Sequence, residues 1–573
     1  MRRGRTIVTL GCVVLVIMGL ALLRPQSTSR TSPAPSETSL QRHVLLIGLD
    51  GCSFDLVREW AAAGKMPAVA RLLFTGASGN LATIATPRQP GKAPTISSPV
   101  VWTTIATGKL PDKHGVWDFG QPLPEQLYAW IERESADVRL PPLVDSAIRL
   151  RMELSVADGY VPGKIVVELN GKELSELHLE PGRHSVVLQV EKSRVNPETN
   201  LLEIDTVPAP PVGTRSVGCR SIVAETAAGD FLGQVDPWRN AEAYATGWAL
   251  QDTTSRPLIQ PAHRQVRAIW DILSDRDMAV ATVGWWGTWP AYQVNGLMLS
   301  SHLGLRGKKT LVTGSYADVL SKTPHLTYPE SYLQHMLEKE LFPQNSEDVM
   351  KARVLDMEGC TIAGESANER TFADVFTQDV FYHNLAADIL RSERAFNLVT
   401  VFFEGPDVVG HKFYDFLAGR RRKDAWIDCP RDDRLARVVQ RYYMYLDEMI
   451  GSLLANASPR YDTVMIVTDH GFDQHGHADN GWIAITGPGI KPRSLRGASV
   501  RDVTPTLLYL CGLPVAGDMD GRVLVEAFTD QYLADHPTTT IRTYETSPLA
   551  FRAASSDMDK EMEERLRALG YIQ

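Results

Sequence analysis

Six short stretches of this sequence carry side chains able to hold a cation, deliver a nucleophile or line a pocket. In LIGLDG, Asp50 closes an apolar run and Gly51 follows it. A carboxylate at the end of a buried strand is well placed to hold a cation, although a turn or helix-capping aspartate is the commoner meaning of such a residue taken alone. In TISSPVVWTTIATGKLPDKHG (Thr95–Gly115), Ser98 precedes Pro99, and proline is favoured at the first position of a helix. Ser98 therefore falls at a helix N-terminus, where free amides and the dipole favour an anion. That placement suits a serine attacking phosphorus, and equally a plain capping serine. In EGPDVVGHKF, Asp407 and His411 stand four residues apart. On a helix both face one way, offering a carboxylate and an imidazole to a zinc-type ion or forming a surface ion pair. IVTDHGF ends an apolar run with two adjacent strong ligands, Asp469 and His470, before a glycine that lets the backbone turn close to a ligand. In QHGHADNGW, one of His475 and His477 completes a site and the other is an ordinary histidine. GWWGTWP (Gly284–Pro290) holds three tryptophans, which line a pocket or cap the core.

Most of these residues stand at the ends of short apolar, β-branched runs. The runs are His43–Asp50, Met278–Trp285, Phe396–Phe403, Thr463–Asp469 and Trp482–Gly487. Such runs read as strands buried on both faces. Val266–Leu273 and Leu435–Leu454, between them, read as helices. Alternating strands and helices imply an α/β fold, a mostly parallel sheet covered by helices on both faces. Ligands of such sheets gather beyond the carboxyl ends of the strands, where Asp50, Glu404 to Asp407, and Asp469-His470 fall. From 126 to 258 the pattern changes. Arg149–Val156, Lys164–Leu169, His184–Val190 and Leu201–Val207 alternate apolar and polar, separated by Asp158-Gly159, Asn170-Gly171, Pro181-Gly182 and Asn196-Pro197. Asn-Gly between two extended runs is a strong hairpin signal. This stretch reads as an antiparallel β-sandwich inserted into the α/β domain.

Composition narrows the class. The chain has 573 residues, 44% of them hydrophobic and 22% charged, with a net charge of −9. These values exclude general disorder, a collagen and a polytopic membrane protein. The mild acidity argues against a nucleic-acid-coating protein, so no nucleic-acid binding is expected. An anionic substrate remains open, because bound cations reverse the local field. The chain opens MRRGR, and Thr6–Leu23 is then an uncharged, mostly apolar run of 18 residues. As a helix it is about 27 Å long, close to the thickness of a bilayer core. The leading arginines place the N-terminus inside and the remainder outside the cytoplasm. The run is a cleaved secretory signal or an uncleaved single-span anchor, and the lack of a small-x-small site after Leu23 favours the anchor. Pro25–Glu37 (PQSTSRTSPAPSE) reads as a linker. Five of the six cysteines, Cys52, Cys219, Cys360, Cys429 and Cys511, lie outside the apolar run with no CxxC, which leaves at most an isolated disulfide of unassigned pairing. The expected organisation is anchor and linker over 1–40, a first catalytic segment over 41–125, the sandwich over 126–258 and a second catalytic segment over 259–573.

Together the motifs resemble the alkaline phosphatase superfamily and, more narrowly, its type I phosphodiesterase/nucleotide pyrophosphatase branch. LIGLDG, SPVVWTTIATGKLPDKHG, GWWGTWP, DVVGH, TDHGF and GWIAITGPGIKP follow that branch's order, and DVTPTLLYLCGLPVAGDMDGRVL and RLRALGYI resemble its C-terminal pattern. The resemblance covers roughly 43–125 and 262–573 and implies an alkaline-phosphatase-like sheet with two divalent metal ions, Zn²⁺ or Mn²⁺. By position, Asp50, Ser98, Asp469 and His470 would hold one ion, and Asp407, His411 and His477 the other. Counting back from Gly108 puts the nucleophile on Ser98, with Ser97 the alternative, where many relatives carry threonine. His477 is preferred over His475 because it stands four residues before Gly481. The sequence Ser97-Ser98-Pro99-Val100-Val101 lacks the arginine that formylglycine sulfatases carry after the nucleophile. The resemblance implies hydrolysis of a small phosphate ester, or of an ester on a phospholipid or glycan, through a phospho-serine intermediate. A monoesterase or headgroup transferase on the same scaffold is one alternative. A glycan-binding protein with a degenerate hydrolase domain is another, disfavoured because all seven ligand positions are filled.

Overall fold

VLLIGL (Val44–Leu49) forms a strand in which every residue is buried, and the partition of its side chains explains the fold. Leu45, Ile47 and Leu49 enter an apolar cluster on one face of a sheet, while Val44 and Leu46 enter a second cluster on the other. A strand covered twice has no polar face, so it reads as a continuous apolar run. Each such side chain contributes about 1.5–3 kcal/mol by leaving water.

The computed structural model describes residues 42–86, 94–121, 129–131, 135–140, 143, 147–157, 160, 162–209, 216–227, 231–235, 245–246, 248–250, 257–305, 316–355, 361–362, 367–419, 427–428, 432–473, 476–547, 549, 551 and 553–569. The central sheet contains β1 (Val44–Leu49), β2 (Ala77–Ala82), β3 (Val280–Val283), β4 (Gly296–Leu299), β5 (Thr327–Tyr328), β6 (Leu398–Phe403), β7 (Thr463–Val467), β8 (Asn480–Thr486) and β9 (Arg493–Ser499). Their order across the sheet is β5-β4-β3-β6-β1-β7-β8-β2-β9. From β4 to β7 the strands run parallel. β8 opposes both β7 and β2. Between β7 and β8 the described residues form a small ladder, Gly471–Asp473 with Gly476–Ala478, and no crossover helix. A parallel return needs such a crossover, so β8 comes back antiparallel.

Helices α1 (Ser98–Thr107), α2 (Ala367–Arg391), α3 (Gly405–Leu417), α4 (Asp432–Ala457) and α5 (Asp557–Leu569) cover the sheet. α2 to α5 pack into the first cluster, and α1 packs into the second with Ile269–Ser274 and Val503–Leu510. Among the described residues no helix is long and apolar enough to cross a membrane. Thr6–Leu23 and the linker after it lie outside those residues. Cys52, Cys219 and Cys511 are buried, and Cys360 and Cys429 fall outside the described residues.

Gly120 pairs with Leu258 in an antiparallel bridge, and the Ile259 amide donates to Phe119 O at 2.9 Å. The chain thus departs and returns at adjacent points. Between them one antiparallel sheet orders Trp248–Leu250, Ala129–Ile131, Val217–Thr226, Ile148–Val156 and Gly182–Val190. A second orders Ala245–Thr246, Ser135–Leu140, Asn200–Val207, Lys164–Leu169 and Lys172–Leu177. Leu150 and Leu154 of the first meet Ile165, Val167, Leu202 and Ile204 of the second in an apolar cluster of their own. Asn170 and Gly171, at φ 54° and 72°, turn the chain between Lys164–Leu169 and Lys172–Leu177. Two successive left-handed residues are what a tight hairpin turn of this hand requires.

Candidate metal centre

The carboxyl ends of β1, β6 and β7 lie side by side, so the residues that follow them converge. β1 runs into Asp50-Gly51, β6 into Glu404 and α3, and β7 into Thr468, Asp469 and His470. Gly51 has φ +61°, and a Cβ there would stand 2.7 Å from Asp407 Cα. Only glycine permits both the left-handed backbone and this approach. Gly51→Ala is expected to cost about 1–3 kcal/mol and to push Asp407 aside. The unfolding midpoint and a divalent-ion titration of the same variant check both effects.

Two side-chain groups form at this edge. Asp50, Asp469 and His470 are buried, and their ligand atoms lie within 4.8 Å of one another, as do those of Asp407, His411 and His477. The groups adjoin: His470 Nε2 is 3.5 Å from Asp50 Oδ1 and 3.8 Å from Asp407 Oδ1. Asp407 Oδ1 also lies 3.5 Å from His411 Nε2 and 3.6 Å from His477 Nε2. His411 and His477 meet through their Nε2 atoms at 2.9 Å, an arrangement that calls for a shared proton or a shared cation. Phe472 packs edge-on against both rings, and His470 stacks on His477 at 3.9 Å.

The hydrogen bonds fix which atoms are free to bind. His470 Nδ1 is 3.0 Å from Gly471 O. A carbonyl only accepts, so Nδ1 carries the proton and Nε2 the lone pair. Asp469 Oδ1 accepts from the Gly51 and His470 amides at 3.1 and 2.9 Å. Asp469 Oδ2 and His470 Nε2 are buried without a hydrogen-bond partner. Burial, then the neighbouring carboxylates of Asp469, Asp407 and Glu404, hold the Asp50 carboxyl well above the usual carboxylate range. Orphaned acceptors and crowded carboxylates are costly in a dry site. A donor set of hard oxygens and imidazole nitrogens fits divalent ions of the zinc type.

Ser98 is the first residue of α1, and Ser97 is its N-cap. Ser98 Oγ donates to Asp50 Oδ1 at 3.3 Å, and Trp102 Nε1 donates to Asp50 Oδ2 at 3.1 Å. The Ser97 hydroxyl is buried without a hydrogen-bond partner. Trp285 meets Trp102 edge-to-face at 5.1 Å, and Trp285 and Trp289 are core residues. Trp285 thus packs in the core against Trp102, while Trp289 lies in the cluster on the other face, stacked on His302. Asp50, Ser98, Asp469 and His470 thus stand on one side of the site and Asp407, His411 and His477 on the other. His475 lies outside the described residues. The sequence reading passed over Trp102, although it stands one helical turn beyond Ser98, as well as Asp379 and Arg565, which meet Glu404 across long stretches of chain.

The structure thus sets two adjoining acid–imidazole clusters at the carboxyl edge of a helix-covered α/β sheet. The family model of the type I phosphodiesterase / nucleotide pyrophosphatases matches residues 44–185 and 232–486, and the chain belongs to that family. It is 32% identical over 133 residues to a 2,3-bisphosphoglycerate-independent phosphoglycerate mutase of Cereibacter sphaeroides, covering 23% of this chain and 24% of that one. A second such mutase, of Synechocystis, is 26% identical over 150 residues, with the same coverage of each chain. The chain thus matches 24% of the length of these curated relatives. Among solved structures, murine ectonucleotide pyrophosphatase/phosphodiesterase 5, an inactive variant in complex with AMP, aligns at a TM-score of 0.33 and 9% identity over 86% of this chain and 99% of that one. A phosphonate monoester hydrolase from Silicibacter pomeroyi aligns at 0.34 and 13% identity over 84% and 76%.

Proposed function

We propose that the protein is a two-metal hydrolase of phosphoric esters, a phosphodiesterase acting through a phospho-serine intermediate. The supporting observation is the hydroxyl of Ser98 at a helix N-terminus, 3.3 Å from Asp50 and beside the two clusters. Asp50, Ser98, Asp469 and His470 would hold one divalent ion, and Asp407, His411 and His477 the other, with Zn²⁺ or Mn²⁺ suiting both sets. Bound ions of this kind lower the pKa of a hydroxyl and offset charge on phosphoryl oxygens. Ser98 Oγ forms the new bond to phosphorus while the bond from phosphorus to the leaving oxygen breaks. Water then attacks the phospho-serine, freeing phosphate or a phosphate monoester and restoring Ser98. The N-terminus of α1 turns its dipole toward the charge that accumulates. Trp102 holds the second oxygen of Asp50, which keeps that carboxylate turned to the serine.

Thr6–Leu23 would tether the enzyme to a membrane with the catalytic domain outside the cytoplasm, or be removed on secretion. The substrate is then a small phosphate ester, or one carried by a phospholipid or glycan. Residues 126–258 form, on this proposal, a β-sandwich inserted between catalytic segments 41–125 and 259–573. Its separate apolar cluster and the pairing of Gly120 with Leu258 support that division.

A substrate panel tests the proposal on the full chain in detergent: an aryl phosphodiester, an aryl phosphate monoester, a phosphonate monoester and an aryl sulfate, each with chelator and with added zinc. The diester is expected to turn over fastest, with activity lost to the chelator and restored by zinc. Fastest turnover of the phosphate monoester would make the protein a phosphatase, and turnover of the sulfate alone would overturn the phosphoric-ester assignment.

A further inference from the structure

We propose that Asp379, and Arg565 of the C-terminal helix, are positioning residues for the Asp407/His411/His477 cluster, fixing the start of α3 so that its ligands stand where an ion can take them; this rests on the two-metal proposal above. Asp407 and His411 are carried by the first two turns of α3. A helix start leaves its first amides without intrahelical partners. Here the Glu404 and Gly405 amides donate to the two oxygens of Asp379, each at 3.0 Å. Asp379 comes from α2 and is fully buried. It thus caps α3 from a different element, with its charge at the favourable end of the helix dipole. Tyr442 OH donates to Asp379 Oδ2 at 2.5 Å. Burial pushes the Asp379 carboxyl up to about 7, although Tyr442 and the two amides pull the other way.

A second arm holds the same point. The buried Glu404 carboxylate accepts from Gln378 Nε2 at 2.8 Å and from Arg565 Nη2 at 2.9 Å. Arg565 Nη1 closes the triangle on Gln378 Oε1 at 3.0 Å. Glu404 O accepts the first helical bond from the Asp407 amide at 3.1 Å, so whatever fixes Glu404 fixes Asp407. α5 is itself anchored. Met558, Met562, Leu566 and Leu569 enter the cluster that receives Val408, Val409 and Phe413 of α3. Lys412 of α3 also donates to Ala568 O at 2.8 Å. Taking an ion pair out of water is costly, and removing one partner leaves the other charge uncompensated. The side chains of Asp379 and Arg565 bond to Glu404, Gly405, Tyr442 and Gln378, which makes their role one of placement.

The test uses the full chain, stripped of metal and titrated with Co²⁺, following stoichiometry and the visible absorption of each ion. Asp407→Asn and Asp469→Asn identify which band belongs to which cluster. In Arg565→Met and Asp379→Asn, the ion of the Asp407/His411/His477 cluster is expected to bind about 10–100-fold more weakly with an altered band. The other ion should keep its affinity, and Arg565→Lys should recover most of the loss. If Arg565→Met does not fold, the charge-neutral pair Glu404→Gln/Arg565→Gln replaces it under the same criteria. Folded variants that bind both ions as the wild type does, or that weaken both equally, overturn the proposal. A wild-type chain that binds no stoichiometric metal instead overturns the two-metal proposal itself.

Discussion

Ser98→Ala is expected to lower turnover of the preferred phosphodiester by about 10³-fold or more and to leave the fold intact. The side chain supplies the atom that bonds to phosphorus, so no neighbour replaces it at the same position. The structural loss is small. Ser98 Oγ makes a single 3.3 Å bond to Asp50, a contact worth about 0.5–1.5 kcal/mol. The backbone of α1 still starts from Ser97. Ser97→Ala is the matched control, because its hydroxyl is equally buried but has no hydrogen-bond partner. Its removal deletes an unsatisfied polar group, which is close to neutral for stability, and turnover should stay near wild type. Ser98→Thr, which keeps the hydroxyl, should retain part of the activity. Steady-state kinetics and acid-quench trapping of the phosphorylated residue check all three. Full activity in Ser98→Ala, with loss in Ser97→Ala, would move the nucleophile one residue back.

The elements legible in the sequence share a physical cause. β1, β6 and β7 are buried on both faces, so each is a largely apolar run, with only Thr400 inside β6 and Thr463 opening β7, followed by a polar residue. Asn170-Gly171 announces its hairpin through two left-handed residues, and Asp407 and His411 announce a shared helix face through their spacing. β2 (ASGNLA) carries no comparable signal. A Cβ on its Gly79 would lie 2.3 Å from Leu495 O, so a close backbone approach takes the place of an apolar pattern. The antiparallel course of β8 follows from the short link before it, which hydropathy does not express. That link also pairs Phe472 with His477 and so brings His477 beside His470. The caps on α3 are illegible for another reason. Asp379 and Arg565 lie 25 and 161 residues from Glu404, and only the folded chain brings them there.

Chelation is expected to abolish turnover and to lower the thermal midpoint, with both restored by Zn²⁺. Asp50, Asp407 and Asp469 are nearly fully buried at one point. Without cations their charges repel through a poorly screening interior. A bound ion removes that repulsion and contributes about 4 kcal/mol when present at a thousand times its Kd. The metal-free chain has one other escape, protonation of Asp50, whose carboxyl is held high by burial and then by Asp469, Asp407 and Glu404. A carboxyl raised on folding stabilises the folded state below its ordinary pKa of about 4 and loses that contribution as pH climbs through the raised value. The midpoint of the stripped protein should therefore fall as pH rises from about 4 through the raised range of Asp50, while that of the loaded protein should not, because the cation takes the proton's place. Asp50→Asn separates a ligand from a merely structural aspartate. It should raise the midpoint of the stripped chain wherever the pH is high enough to ionise Asp50, by removing one of the crowded charges. It should also weaken the zinc-induced rise and abolish turnover. Scanning fluorimetry of both chains, with and without chelator, checks each sign. If Asp50→Asn lowers stability by the same amount in both states, Asp50 serves only its hydrogen bonds to Ser98 and Trp102, and its place as a metal ligand falls.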